Sequence, residues 1–295
     1  MNIIKRIGMR VARVFPDKLF LKIKYYYIFK EWIDFSNPRN YNEKIQWLKL
    51  YDRKPEYSML VDKAAVKEYV STIIGEDHII PTIGLWDRVE DINFDALPER
   101  FVLKCTHDSN SICFCRDKRD FDKEKAKTKL KKALKNNFYK EGREWPYKNV
   151  KPRIIAEKLM TDESGEELKD YKVFCFDGEP RMIQVDSGRF SKHVRNHYTT
   201  DWEYIDASIN FPTDRNVKIE RPKELDTLLR FARNLSKGFI HLRVDFYIIN
   251  EKIYFGEITF YHGSGYNTFN PKSFNNEKGN WIKLPLSHYQ KGILP

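Results

Sequence analysis

The sequence has few cysteines and no long apolar run. It holds 4 cysteines in 295 residues, and no two have the CxxC spacing of a zinc ribbon or a redox motif. We therefore expect reduced thiols rather than a disulfide framework. No stretch approaches the ~18 apolar residues that cross a bilayer, and no signal peptide is recognisable at the start. These absences predict a cytoplasmic chain that is neither secreted nor membrane-spanning.

The common phosphate-binding fingerprints are also missing. The sequence contains neither the GxxxxGK[ST] motif of a P-loop nor the GxGxxG turn of a dinucleotide fold. It shows no internal repeat and no low-complexity segment. A nucleotide site in this chain must therefore be of another kind.

What the sequence has in excess is positive charge. Lysine and arginine number 53 against 42 aspartates and glutamates, a net charge of +11, which favours anionic partners such as nucleotide phosphates, acidic polysaccharide, lipid headgroups or nucleic acid. Residues 1–30 are especially basic and interleave their cations with apolar side chains. That pattern suits a helix at an anionic membrane surface, and it suits equally an ordinary packed helix with a charged face.

Residue periodicity predicts a mixture of helices and antiparallel strands. The expected helices cover 19–32, a segment from 42, 62–70, 121–141 and 223–236. The expected strands are 101–105 and 112–117 around a polar loop, 153–159, a hairpin closed by Asp177-Gly178, and a last hairpin of 241–249 and 252–260 closed by Asn250-Glu251.

The last hairpin places four polar residues on one strand face. Arg243 and Asp245 alternate on its first strand, and Glu257 and Thr259 alternate on its second. Charged groups on such a face need a ligand or a metal to offset their burial. Two carboxylates suit Mg²⁺, which takes its remaining ligands from phosphates and water. A solvent-facing lattice of salt bridges explains the hairpin alone equally well.

A polar loop at 106–111 follows the strand that ends with Lys104 and Cys105. Its amides and hydroxyls, including those of Ser109 and Ser111, are suited to wrapping phosphate oxygens, although the carboxylate of Asp108 opposes an anion. His107, Asp108 and Ser109 are sequence neighbours, which does not make them a catalytic triad.

Six short motifs occur in an order and spacing that resemble the ATP-grasp superfamily: DK at 62–63, FVLK at 101–104, IIAEK at 154–158, DYK at 170–172, RVD at 243–245 and GEIT at 256–259. The phrases PRNYNEKIQWLKLYDR, FVLKCTHDSNS, DYKVFCFDGEPR and HLRVDFY…GEITFYHGSG are similar to the branch named after the teichuronopeptide-biosynthesis protein of bacterial polysaccharide gene clusters. The resemblance runs from about residue 36 to the C-terminus.

The resemblance implies an α+β fold in which two lobes with antiparallel sheets clamp ATP. On this expectation residues 1–60 form a mainly helical N-terminal region, 61–155 the first lobe with the phosphate loop, and 156–295 the second lobe with the hinge and the metal and phosphate ligands. The implied cofactors are ATP and Mg²⁺.

The resemblance also implies roles for individual residues. Lys104 and Lys172 would touch the phosphates and Arg243 would steady the transferred phosphoryl group, which makes these three the predicted catalytic residues. Asp170 would meet the ribose hydroxyls, and the hinge at 157–160 would pack against adenine. The whole predicted nucleotide-binding set is Lys63, Lys104, Ser109, Ser111, Glu157, Lys158, Leu159, Met160, Asp170 and Lys172. The predicted metal ligands are Asp245, Glu257 and Thr259, the last of which replaces the asparagine of most ligases in the superfamily.

The implied reaction is an ADP-forming ligation, in which a carboxylate becomes an acylphosphate that an amine attacks to give an amide. We expect it to join an amino acid or peptide to an acidic saccharide or uronic-acid polymer of a capsule or cell wall, in the cytoplasm or at the inner face of the membrane. Two alternatives are a phosphotransferase that uses a sugar hydroxyl and a non-catalytic basic module. Nucleic acid is not an expected partner.

Two further segments are open to two interpretations each. The turn at 262–265, with Arg243, is a candidate donor to the oxyanion of the second half-reaction, or an ordinary turn. The basic segment at 186–198 is a candidate site for an acidic acceptor, or a solvated loop. Its cations are Arg189, Lys192, His193, Arg195 and His197.

Overall fold

The computed structural model describes residues 13–109, 111–161, 168–187 and 194–286. Its first elements are helices: α1 Asp17–Phe29, α2 Tyr41–Tyr51, α3 Tyr57–Val61 and α4 Val66–Ile74. Asn40 caps α2 by accepting a hydrogen bond from the backbone N–H of Glu43 at 3.0 Å. Helices therefore predominate among the described residues up to Ile74, but the helix expected at 62–70 is wrong in its bounds, because α3 ends at Val61 and α4 begins at Val66.

The first sheet has four strands, all antiparallel, in the order β1-β4-β2-β3. They are β1 Thr82–Trp86, β2 Phe101–Cys105, β3 Cys113–Cys115 and β4 Ile154–Lys158. Helix α5 Lys123–Leu134 is shorter than the expected 121–141, and a separate short helix, α6 Tyr139–Gly142, follows it. Leu130 of α5 packs with Phe101 and Leu103 in the small core of this sheet.

The second sheet has six strands in the order β11-β10-β5-β6-β7-β8, again all antiparallel. They are β5 Asp170–Phe176, β6 Glu179–Ser187, β7 Val194–Tyr198, β8 Tyr204–Ile205, β10 His241–Ile249 and β11 Lys252–Thr259. The remaining elements are the paired short strands β9 Ser208–Ile209 and β12 Phe269–Asn270, and the helices α7 Leu225–Ser236 and α8 Ser273–Trp281.

Both predicted hairpin turns are confirmed. Asp177 and Gly178 have φ angles of 51° and 77°, and Asn250 and Glu251 have φ angles of 50° and 59°. Two consecutive positive φ values in a two-residue loop are the geometry that matches the twist of antiparallel strands. These turns connect β5 to β6 and β10 to β11, while β5 also pairs with β10, to which no tight turn joins it.

The two faces of the six-stranded sheet differ in chemistry. Helix α7 packs on one face, where the thiol of Cys175 points at the carbonyl oxygen of Ala232 at 3.8 Å. Successive strand residues alternate between faces, so Lys172 and Phe174, which flank Val173, lie on the other face. The charged side chains of β5 and β10 are on that second face.

The expected domain bounds can be compared with the strands and the core. The boundary at 155/156 falls inside β4, which pairs with β1 and β2 as one strand of the first sheet. The helical region shares its core with the six-stranded sheet, since the rings of Tyr57 and Phe260 lie 4.3 Å apart. No helix among the described residues is long and apolar enough to cross a membrane.

Candidate functional site

The predicted polar residues of β10 and β11 lie side by side on the face of the large sheet that is turned away from α7. In the strand register Arg243 is opposite Thr259, and Asp245 is opposite Glu257. On its other side Asp245 is opposite Lys172 of β5. The antiparallel pairing therefore brings together residues that are far apart in the sequence; Lys172 and Thr259 are separated by 87 positions.

Asp245 is the centre of this group. Its carboxylate accepts from Arg243 Nε at 2.6 Å and Nη2 at 2.7 Å, and from Lys172 Nζ at 2.8 Å. Burial by itself raises the pKa of Asp245, but the two cations outweigh burial and hold the pKa at about 2. Asp245 is therefore ionised throughout the neutral range.

Glu257 is the open counterpart of Asp245. Its Oε1 lies 3.0 Å from Arg243 Nη2, and the hydroxyl of Thr259 donates to the same oxygen at 3.4 Å. The side chain of Glu257 is 39% exposed, against 3% for Asp245. One carboxylate is thus held by the protein, while the other is available to solvent and ligands.

Asp170 and Asp186 extend the row of charges across the sheet. Lys172 Nζ lies 2.9 Å from Asp170 Oδ2 and 3.9 Å from Asp186 Oδ2, and all three side chains are buried. Asp186 was not predicted. The sequence pattern that indicates Asp186 is the alternation of Met182, Gln184 and Asp186 in β6, which places two polar side chains on the same face as Lys172.

The basic segment at 186–198 is neither a solvated loop nor a set of free cations where the structure describes it. Arg195 and His197 belong to β7, and His197 is fully buried. Arg195 Nε donates to Asp186 Oδ1 at 2.6 Å, so a neighbouring carboxylate neutralises its charge. His197 Nδ1 bonds to the carbonyl of Ala207 at 2.8 Å. Arg189, Lys192 and His193 lie outside the described residues.

The four-stranded sheet contributes a carboxylate shared by two lysines. Glu157 of β4 lies 2.5 Å from Lys104 Nζ and 2.6 Å from Lys67 Nζ. Burial raises the pKa of Glu157, but the two ammonium groups lower it further, with a net fall below the usual range. Lys67 of α4 was missed by sequence reasoning, because only the folded chain brings that helix against β4.

The predicted hinge continues from Glu157 along the edge of this sheet. The backbone N–H of Lys158 donates to the carbonyl of Pro81 at 3.1 Å. The side chain of Lys158 is exposed, and Leu159 and Met160 are partly exposed. The hinge thus passes from a buried carboxylate at Glu157 to exposed and partly exposed side chains.

The polar loop at 106–111 is closed by its own side chains. Ser111 Oγ donates to Asp108 Oδ1 at 2.5 Å and accepts from the backbone N–H of Cys105 at 2.7 Å. Lys63 Nζ donates to the carbonyl oxygen of Asp108. Asp108 is therefore turned inwards and its charge is engaged within the loop, while Ser109 is exposed.

Lys63 is joined to the loop at two points. Its backbone N–H donates to the carbonyl oxygen of Thr106 at 3.1 Å, and its Nζ donates to the carbonyl oxygen of Asp108. Burial lowers the pKa of Lys63, and the negative charge of Glu257 opposes that fall most strongly. The loop and the residues before α4 are therefore held together.

The turn at 262–265 owes its glycines to geometry. Gly263, Ser264 and Gly265 all have positive φ, and a Cβ on Gly265 would lie 2.5 Å from Gln46 Nε2. Lys49 of α2 is fully buried and donates to the Ser264 carbonyl at 2.7 Å. Packing against α2 thus explains these residues as a fixed turn.

The carboxylates of β10 and β11 fit a divalent cation. Asp245 Oδ2 and Glu257 Oε1 lie 2.7 Å and 3.0 Å from the same nitrogen, Arg243 Nη2, so the two carboxylates converge on one positively charged group. Within the described ranges no group of three His, Cys, Asp or Glu side chains gathers as a metal site. Two carboxylates are what Mg²⁺ needs from a protein when phosphates and water complete its octahedron.

Comparison with protein families shows to which family the chain belongs. A model of the family described as TupA-like ATPgrasp matches residues 43–283, most of the chain. The chain belongs to the TupA-like ATP-grasp family. Membership of this family confirms the predicted α+β ATP-grasp fold. It also confirms the predicted cofactors, because ATP-grasp enzymes use ATP and Mg²⁺. No curated protein matches the chain.

Several solved structures share part of the chain path. D-alanine–D-alanine ligase from Bacillus anthracis complexed with ATP is 17% identical with a TM-score of 0.40, over 68% of this chain and 53% of that ligase, so the chain spans about half of its length. The Helicobacter pylori enzyme is 13% identical with a TM-score of 0.45, over 83% and 71%. The ATP-grasp ligase PsnB, complexed with minimal precursor, Mg and ADP, is 11% identical with a TM-score of 0.39, over 74% and 57%.

Proposed function

We propose that this TupA-like ATP-grasp protein is an ADP-forming carboxylate–amine ligase that modifies a capsular or cell-wall polysaccharide with an amino acid or peptide. The observation that carries the proposal is the group that Asp245, Glu257 and Arg243 form on the large sheet. The two carboxylates, one buried and one partly exposed, lie 2.7 Å and 3.0 Å from the same guanidinium nitrogen. Carboxylates beside a guanidinium suit a metal–triphosphate complex.

The nucleotide would lie between the two sheets. Lys104, Lys63 and Lys172 are ammonium groups suited to phosphate oxygens, and amides of the loop with Ser109 and Ser111 would complete the cradle. The hinge at 157–160 would pack against adenine, with Glu157 fixed by its two lysines. Asp170 has a buried carboxylate suited to accepting hydrogen bonds from ribose hydroxyls.

Asp245 and Glu257 would hold Mg²⁺, with Thr259 beside Glu257. The metal supplies charge neutralisation on the phosphates and lowers the barrier to displacement at phosphorus. Arg243, which contacts both carboxylates, would place its guanidinium plane against the transferred phosphoryl group. Its charge is secure, because Asp245 and Glu257 outweigh burial and raise its pKa.

In the first half-reaction an oxygen of the substrate carboxylate attacks the γ-phosphorus of ATP. The bond between that phosphorus and the bridging oxygen breaks, which releases ADP and leaves an acylphosphate. In the second, the amine nitrogen attacks the carbonyl carbon, phosphate leaves, and the nitrogen loses a proton to give the amide. Arg243 and Lys172 stabilise the negative charge that develops in both steps.

The substrates we infer are an acidic saccharide or uronic-acid polymer as the carboxylate and an amino acid as the amine. The family's name and the surplus of positive charge, +11 over the chain, support this choice. Arg195 would not bind the saccharide as a free cation, because it is already paired with Asp186.

The test is ATP turnover by the purified chain with Mg²⁺ and paired acids and amines. Uronic acids and their oligomers are combined with single amino acids, and ADP and free phosphate are measured in the same samples. The controls are Glu257→Gln in the site and Asp201→Asn, an exposed carboxylate elsewhere.

A ligase releases equal amounts of ADP and phosphate only when acid and amine are both present, and Glu257→Gln abolishes that release while Asp201→Asn does not. ADP without free phosphate would identify a phosphotransferase. Failure to bind ATP at millimolar-scale Mg²⁺ would overturn the enzymatic proposal.

A further inference from the structure

Exposed apolar side chains are concentrated on helix α1 and the segment after it. Six of the eleven large hydrophobic side chains that are exposed in the described residues lie between Val14 and Trp32. Trp32 is 63% exposed, Leu19 43% and Tyr26 41%. Single exposed apolar residues need no explanation, but such a concentration marks an interaction surface.

Leu19 and Tyr26 lie on one face of α1, together with Lys22. Leu19, Lys22 and Tyr26 follow each other at intervals of three and four residues, so they share one side of the helix. The opposite side carries Phe20 and Leu21, which are buried against the core. The aromatic ring of Trp32 stacks on Tyr26 at 4.5 Å and extends the face beyond the helix end.

Lysines alternate with the apolar residues on this face. Lys18 and Lys30 are exposed and Lys22 is half-buried, and Lys30 Nζ lies 5.1 Å from the ring centroid of Tyr27. We name the set the α1 patch; it consists of Lys18, Leu19, Lys22, Tyr26, Lys30 and Trp32.

Acidic residues beside the patch lower its net charge without cancelling it. Asp17 points inwards, where it pairs with Arg53 at 2.7 Å and with Arg143 at 3.2 Å. Glu31 and Asp34 are exposed at the border of the patch; hydrogen bonds from Ser36 and, more weakly, the charge of Lys22 lower the pKa of Asp34. The three patch lysines thus outnumber the two exposed carboxylates at its border.

We propose that the α1 patch docks the protein on a bilayer that contains anionic lipids. Lysines beside tryptophan, tyrosine and leucine on one helix face match both components of a membrane surface, the anionic headgroups and the upper acyl chains. A second copy of this chain fits less well, because a two-fold interface would bring the lysines of both copies together. A nucleic acid would use the lysines but has no place for Leu19.

The experiment is co-sedimentation of the full chain with vesicles of phosphatidylcholine alone and of phosphatidylcholine mixed with phosphatidylglycerol. No ATP is needed, so the result is independent of the proposed reaction. The charge variant is Lys18→Gln/Lys22→Gln/Lys30→Gln, and its matched control is Lys125→Gln/Lys132→Gln/Lys135→Gln on the exposed face of α5. The apolar variant is Tyr26→Ser/Trp32→Ser.

The wild type is expected to bind the anionic vesicles and not the neutral ones. Each patch lysine contributes about fivefold to such binding, so the charge variant should lose on the order of a hundredfold in partition coefficient, while the α5 control stays unchanged. The apolar variant should also release the protein. Equal binding by the patch and control variants would overturn the proposal. So would a concentration-dependent dimer that Trp32→Ser abolishes without any preference for anionic vesicles.

Discussion

The two sheets bring opposite charge to one site. The four-stranded sheet and its neighbouring loop and helix supply one more positive than negative charge, and the six-stranded sheet supplies one more negative than positive. The first set is Lys63, Lys67, Lys104, Asp108 and Glu157; the second is Lys172, Arg195, Arg243, Asp170, Asp186, Asp245 and Glu257. In the proposed site the lysines of the first set would face the phosphates, and the carboxylates Asp245 and Glu257 of the second set would face the metal.

The same comparison holds for Asp245 and Glu257. They are opposite each other in the strand register, yet Asp245 is enclosed by two cations and Glu257 is open. A buried, paired carboxylate contributes to stability as well as to chemistry, whereas an open one contributes mainly to ligand binding. Variants at the two positions should therefore separate the contribution to stability from the contribution to ligand binding.

Asp245→Asn should remove the carboxylate that pairs with both Lys172 and Arg243 in the large sheet. The change leaves Lys172 and Arg243 without their common anion, and removal of one partner of a buried ion pair costs about 3–5 kcal/mol. We expect this loss in the free energy of unfolding, measured with urea, together with the loss of ATP turnover. Asp226→Asn, whose exposed ion pair with Arg221 lies on the surface, should cost less than about 1 kcal/mol. Equal effects of the two variants would contradict the account.

Glu257→Gln should separate chemistry from stability. Because this side chain is partly exposed and pairs only through Arg243 and Thr259 in the described contacts, the free energy of unfolding should change by less than about 1 kcal/mol. Turnover should fall about a hundredfold to a thousandfold, as for other groups that act on transition-state charge. Near-normal turnover in this variant would remove Glu257 from the metal site.

Lys104→Met and Lys67→Met test the small sheet. Both lysines pair with Glu157, but only Lys104 is predicted to touch the phosphates. Loss of a charged hydrogen bond to phosphate costs about 1.5–3 kcal/mol, so Lys104→Met should weaken ATP binding about tenfold to a hundredfold by calorimetry. Lys67→Met should have a smaller effect. Equal losses would mean that both lysines act only by fixing Glu157.

Mild acid should destabilise the large sheet through its buried histidines. Burial lowers the pKa of His197 and of His241 to about 3, so both stay neutral in the folded chain while the unfolded chain takes up protons below about 6.5. Stability is therefore complete above pH 6.5 and is lost as the pH falls. Between pH 7 and pH 5 each histidine should cost about 2 kcal/mol. Asp245, with a pKa of about 2, contributes nothing in this window.

The measurement is urea unfolding at pH 7 and pH 5 in wild type and His197→Gln. The variant should lose about 2 kcal/mol less than the wild type over this interval. An identical loss in both proteins would show that His197 is not a neutral buried group.

The sequence alone predicted both hairpins of the large sheet, but not the register inside them. The alternation of Arg243 with Asp245 and of Glu257 with Thr259 is local, yet pairing counted from the turn at Asn250-Glu251 would place Arg243 opposite Ile258. A register shift between Asp245 and Phe246 moves the pairing by one residue, so that Arg243 is opposite Thr259 and Asp245 is opposite Glu257. A similar shift between Phe174 and Cys175 places Lys172 opposite Gln184. Tight turns are thus predictable from short-range pattern, whereas bulges and the pairing of β5 with β10 are not.

Contacts between distant segments were not predictable in this way. Lys67 lies on α4 and reaches Glu157, 90 residues later in the numbering, through the packing of that helix against the small sheet. Arg195 was predicted as a free cation, but the register of β6 and β7 places it opposite Asp186. Such pairings depend on how elements pack, which residue periodicity does not determine.

The most direct test of the account is hydrogen–deuterium exchange of the chain with and without ATP and Mg²⁺. If the nucleotide binds between the two sheets, protection should rise together in 101–111 of the small sheet and in 241–259 of the large one, and Glu257→Gln should reduce both. Protection confined to one of the two segments, or unchanged in both, would contradict a site shared between sheets of opposite charge.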